Sequence, residues 1–104
     1  MSSARYLCSQ LIRLTVSGTA GVHEQCVNLE EIWDDGAMLE CETEVCVGVP
    51  AMISADGISF SGRITAVERH QFGWQVELTF SPVTRWSIEK WRPEHAFDPG
   101  TLES

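Results

Sequence analysis

Residues 25–42, QCVNLEEIWDDGAMLECE, decide the fold. Val27 and Leu29 alternate with polar neighbours over 25–32, the period of a half-buried strand. Asp35-Gly36 is a hairpin-turn dipeptide, because glycine takes a positive φ without steric cost. Residues 37–42, AMLECE, then read as the returning strand. The corner carries Trp33, Asp34 and Asp35 in a row, so it is a candidate binding loop as well as a turn.

Outward from this hairpin the same pattern recurs. Upstream, LIRLTV (11–16) places Ile12, Leu14 and Val16 on one face and Arg13 and Thr15 on the other, before the loop SGTAG (17–21). Downstream, Gly48 and Pro50 punctuate the chain before a short strand at 51–54. ADG (55–57) is a second hairpin turn. A long strand over 58–70 puts Ile58, Phe60 and Ile64 on its inner parity, with Gly62 as a bend or bulge. After QFG (71–73), the cleanest strand is WQVELTF (74–80): Trp74, Val76, Leu78 and Phe80 point one way. Ser81-Pro82 has the form of an N-cap followed by proline at the first helical position. VTRWSIEKW (83–91) therefore reads as a short helix that Pro93 ends. The expectation is mainly β: a small antiparallel six-stranded barrel with a short C-terminal helix over residues 1–92. A loosely attached polar tail follows over 93–104.

Composition bounds the function. A chain of 104 residues with 43% hydrophobic and 21% charged residues fits one globular domain with its own core. No segment reaches the ~18 apolar residues of a membrane span. Arg5, Gln10 and Arg13 interrupt the N-terminal apolar stretch, so it is not the core of an export signal. The expected compartment is the cytoplasm, with Cys8, Cys26, Cys41 and Cys46 as reduced thiols in core or edge positions. Their spacing, with His23 near Cys26, touches only the permissive edge of zinc patterns, and no metal site is expected. The net charge is −8, and residues 23–46 hold eight acids and no lysine or arginine. That half repels nucleic acid and anionic membrane, and reads as a solvated face.

Catalysis finds no support. His23, His70 and His95 lie at turn, strand-end and tail positions without a triad or metal motif. Glu30 and Glu31 alternate across a strand and cannot pair there. No glycine-rich phosphate loop leads into a helix. No cofactor is expected.

The order of LIRLTV, VNLEEIWDDGAMLE, VGVPAMIS, FSGRITAVE and GWQVELTF, with a helix after them, resembles the PilZ family over about Arg5 to Trp91. These are small bacterial barrels that bind cyclic di-GMP, or act as degenerate relatives in its signalling. The resemblance implies two ligand motifs. In the first, R-x-x-x-R, Arg5 stands at the first arginine, the second falls on Ser9, and Arg13 is out of register. Guanidinium forks match phosphate oxygens and stack on guanine. In the second, D/N-x-S-x-x-G, Glu31 replaces the Asp or Asn, Trp33 replaces the Ser, and Gly36 is kept. Trp33 fills space where a hydroxyl would donate. Asp34 and Asp35 add negative charge where phosphates would sit, at a cost of up to about 4 kcal/mol per like charge at ~4 Å. Arg5, Glu31, Trp33 and Gly36 are thus expected to be vestigial.

Two functions follow from different classes. One is a degenerate signalling or adaptor domain that acts through a protein partner, with Trp33, Trp86 and Trp91 as candidate contacts. The alternative is a cyclic di-GMP receptor in which Arg5, Arg63 or Arg69 supplies cations from another direction.

Overall fold

The computed structural model describes residues 5–99. They form six strands: β1 (Tyr6–Gly18), β2 (Gly21–Trp33), β3 (Gly36–Cys41), β4 (Pro50–Ala55), β5 (Ile58–His70) and β6 (Gly73–Phe80). All pairings are antiparallel, and the order β1-β2-β3-β6-β5-β4 closes into a barrel when β4 pairs with β1. Alternation builds the interior. Leu14, Leu29, Leu39, Ile53, Ile64 and Leu78, one from each strand, are all fully buried. Each aliphatic side chain so buried contributes about 1.5–3 kcal/mol. Closure covers the edge of β1 from Arg13 to Val16, where β4 pairs with it.

Besides the irregularity between Leu7 and Gln10, where β1 carries one residue more than β2, two bulges set which side chains face out. Between Leu29 and Glu31, β2 carries one residue more than β3. Between Ile64 and Ala66, β5 carries one more than β6, which brings Val67 opposite Val76 and back onto the inner face. Gly62 is near that second bulge but has a different role. A Cβ there would lie 2.0 Å from the Thr79 carbonyl oxygen, so β5 and β6 approach too closely for a side chain. At the β4–β5 turn Asp56 and Gly57 have φ of 54° and 81°, the mirror-image turn that suits the twist of a hairpin.

The expected C-terminal helix does not form. Among the described residues there is no α-helix, and none is long and apolar enough to cross a membrane. A helix over 83–91 would need the Trp86 N–H on the Pro82 carbonyl. Instead it donates to the Asp34 carbonyl at 2.9 Å. Thr84 N–H closes only a tight turn onto the Ser81 carbonyl, at 2.9 Å. A helix of nine residues is marginal alone, so packing decides. Here it favours an irregular segment that buries Trp86 against the barrel.

The region read as a loose tail also returns to the barrel over 93–99. Leu7 and Phe97 exchange both backbone hydrogen bonds at 2.9 Å, and Ser9 N–H donates to the Glu94 carbonyl at 3.1 Å. Pro93 and Ala96 are buried beneath. Residues 100–104 of that tail lie outside the described residues.

Candidate functional site

Arg5, Glu31, Trp33 and Gly36, drawn from two motifs far apart in sequence, meet at one place. Arg5 precedes β1, and β1 pairs with β2 so that Tyr6 lies opposite Ile32 and Leu7 opposite Glu31. The bulge at Glu30 turns Glu31 outward beside Arg5. Arg5 Nη1 donates to Glu31 Oε1 at 3.0 Å. The same guanidinium lies over the Trp33 ring, 4.0 Å from its centroid. Trp33 is paired with Gly36 across the hairpin. A Cβ on Gly36 would come within 2.8 Å of two Trp33 ring atoms and of the Leu78 carbonyl oxygen.

This arrangement revises the reason for Gly36. No positive φ occurs at Asp34, Asp35 or Gly36. The glycine is required because the indole and the β6 backbone occupy the space of a side chain. The two aspartates serve the corner through their backbones. Phe80 N–H donates to the Asp35 carbonyl at 2.8 Å, and Trp86 N–H to the Asp34 carbonyl. The hairpin tip is thereby tied to the segment that follows β6.

The cluster satisfies itself. Arg5 is half-exposed, 53% for its side chain, but its charge is directed onto Glu31 and the indole face. An exposed ion pair is worth about 0.2–1 kcal/mol and an exposed cation–π contact about 0.5–1 kcal/mol. A phosphate must displace both, beside the backbone corner that carries Asp34 and Asp35. The other cations have partners of their own. Arg13 lies 3.9 Å from Glu24, Arg63 donates to the Gly48 carbonyl, and Arg69 stacks over Trp74 at 4.8 Å.

Of the three tryptophans expected as contacts, two are interior. Trp33 is 7% exposed and Trp86 4%. Trp86 meets Tyr6 edge-on at 5.4 Å and donates from Nε1 to the Trp91 carbonyl at 2.9 Å. Trp91 is half-buried against Phe60, with ring centroids 6.2 Å apart, and its Nε1 donates to Asp56 at 3.0 Å. These indoles hold the end of the barrel, and their faces are spent on it.

Sequence reasoning missed a large open groove of about 810 Å³ on the outer surface of β1, β2, β4 and β5. Leu11, Arg13, Cys26, Met52, Ser54 and Ser59 line it. Leu11 was the available signal: an apolar residue on the outward parity of β1, 70% exposed. The groove has none of the four motif-matching residues in its wall.

The carboxylate and thiol chemistry is muted. Glu30 is also outside the barrel, and burial together with Glu40 raises its carboxyl above the ordinary range. Thus Glu30 and Glu31 do not point to opposite faces as simple alternation requires, because the bulge intervenes. Burial, with Glu31 and Glu30 nearby, pushes the Cys8 thiol up to about 12, and burial with Glu40 does the same for Cys41. Neither is a thiolate near neutral pH. Cys26 and Cys46 are exposed and free. Among the described residues no three His, Cys, Asp or Glu side chains gather as a metal site.

Compared with family models, curated proteins and solved structures, the chain has no match.

Proposed function

We propose that this chain is a non-catalytic regulatory or adaptor domain of PilZ type, acting through contacts with a protein partner rather than by binding cyclic di-GMP by itself. The observation that carries the reading is the closed Arg5–Glu31–Trp33 cluster. The one arginine matching the ligand motif is already paired at 3.0 Å and stacked at 4.0 Å. The six-stranded antiparallel barrel is compatible with a PilZ-type domain, and the absence of the terminal helix is a departure from the pattern the resemblance implies.

The alternative, a cyclic di-GMP receptor, has one observation in its favour. Arg5, Glu31 and Trp33 are gathered in space, as a ligand site requires, and Arg5 is half-exposed. Calorimetric titration with cyclic di-GMP at low salt separates the two. The expected result is no binding heat at ~100 μM ligand for the wild type. Binding at 1 μM, about −8 kcal/mol, that vanishes in Arg5→Ala would overturn the adaptor reading in favour of a receptor.

A further inference from the structure

We infer that residues 91–97 form a latched strap, which opens as a unit from a barrel that stays folded, and that Asp56 is its latch. The strap lies across two hairpins. Its first residue, Trp91, donates from Nε1 to Asp56 Oδ2 at 3.0 Å. Gln10 Nε2 donates to the same oxygen at 3.1 Å, and Gln10 Oε1 accepts from the Glu94 N–H at 2.8 Å. One exposed carboxylate thus joins the β4–β5 turn, β1 and the strap in a single chain of hydrogen bonds. These bonds hold its carboxyl below the ordinary value, with Trp91 the larger cause and Gln10 the second.

Several features make the strap weaker than what it covers. Its backbone meets β1 through only the Leu7–Phe97 pair and the Ser9–Glu94 bond. It fully buries little more than Pro93 and Ala96, whereas Phe97 stays 42% exposed. His95 sits at φ 60°, a left-handed conformation that costs a non-glycine residue about 1–2 kcal/mol. Segments with few buried apolar contacts and strained backbone open below the free energy of global unfolding. Trp86, buried and bonded to the hairpin corner, stays behind as the anchor, its Nε1–H releasing the Trp91 carbonyl as the strap opens about residues 87–90.

Opening has a defined consequence. β4 covers β1 only from Arg13 to Val16. With the strap away, the Leu7 and Ser9 amides lose their backbone acceptors and become an unpaired strand edge. The apolar mouth beneath Trp91, lined by Ile12, Ile53, Ile58 and Phe60, is uncovered with it.

Native-state amide hydrogen exchange on the full chain tests this. In the wild type, the Leu7, Ser9 and Phe97 amides should share one opening and exchange faster than Val76 and Leu78. Asp56→Gly removes the acceptor while glycine keeps the positive φ of the turn, and Trp91→Phe removes the donor while keeping an aromatic ring, though a smaller one, against Phe60. Each should speed exchange of the strap set by about tenfold and leave Val76 and Leu78 unmoved. The inference fails if Leu7 and Phe97 exchange together with Val76 and Leu78. It fails equally if the variants speed every amide alike, or leave the strap set unchanged.

Discussion

At the scale of single residues, the hairpin corner is governed by the volume of one indole. Trp33 places its ring at the β2–β3 corner, and the ring needs the space that Gly36 leaves open. Gly36→Ala should therefore destabilise by about 1–3 kcal/mol, the usual cost of overpacking. Urea unfolding of the single variant and of Gly36→Ala with Trp33→Ala checks the cause. The double variant should show a smaller cost than the sum, since removing the ring removes one of the two clashes. If the costs add fully, the Leu78 carbonyl alone accounts for the glycine. Gly36 was legible in the sequence as a glycine that matters. Its reason was not, because a turn glycine and a close-packed glycine look the same until the ring is placed.

At the scale of elements, the segment after β6 shows why local signals mislead. Ser81-Pro82 and the run 83–91 carry helix-start chemistry, yet the Trp86 amide is taken by the Asp34 carbonyl. Trp86 instead fixes the whole segment by burying its ring beside Tyr6. Trp86→Ala should cost about 3–5 kcal/mol, as for other large core truncations. The loss should appear as a lower urea midpoint, with the Trp91 carbonyl losing its indole donor. A cost under 1 kcal/mol would mean that the segment does not depend on this ring. The strands were legible because alternation is a two-residue signal. Their bulges at Glu30 and Thr65 were not, since an inserted residue leaves no mark until the partner strand is known.

At the scale of the whole molecule, the net charge of −8 is carried unevenly, and β2 and β3 hold a crowded acidic exterior. Glu30 feels it most. Burial and the charge of Glu40 raise its carboxyl above the ordinary value of 4.5, against smaller opposing effects of Gln75 and His70. The folded state then binds that proton more tightly than the unfolded chain. Its charged form costs stability at neutral pH, and the cost is relieved as pH falls through the raised value. Glu30→Gln should add roughly 0.2–1 kcal/mol at pH 7, the size of a cross-strand like-charge pair. The gain should shrink below the raised value. Urea titrations at pH 7 and pH 4 measure both. A gain that is the same at both pH values would rule out the charge as its cause.

What the amino-acid order determined alone was the β class, the number of strands, the Asp56-Gly57 turn and most of the core. All of these rest on short-range periodicity and turn chemistry. It also picked out Arg5, Glu31, Trp33 and Gly36, but only as separate matches to two motifs. Tertiary structure decided that Arg5 is consumed by Glu31 and Trp33, that Trp86 is interior, and that residues 91–97 strap the barrel end. These depend on which strands pair and in what register. That information lies in contacts between residues tens of positions apart, which no local pattern encodes.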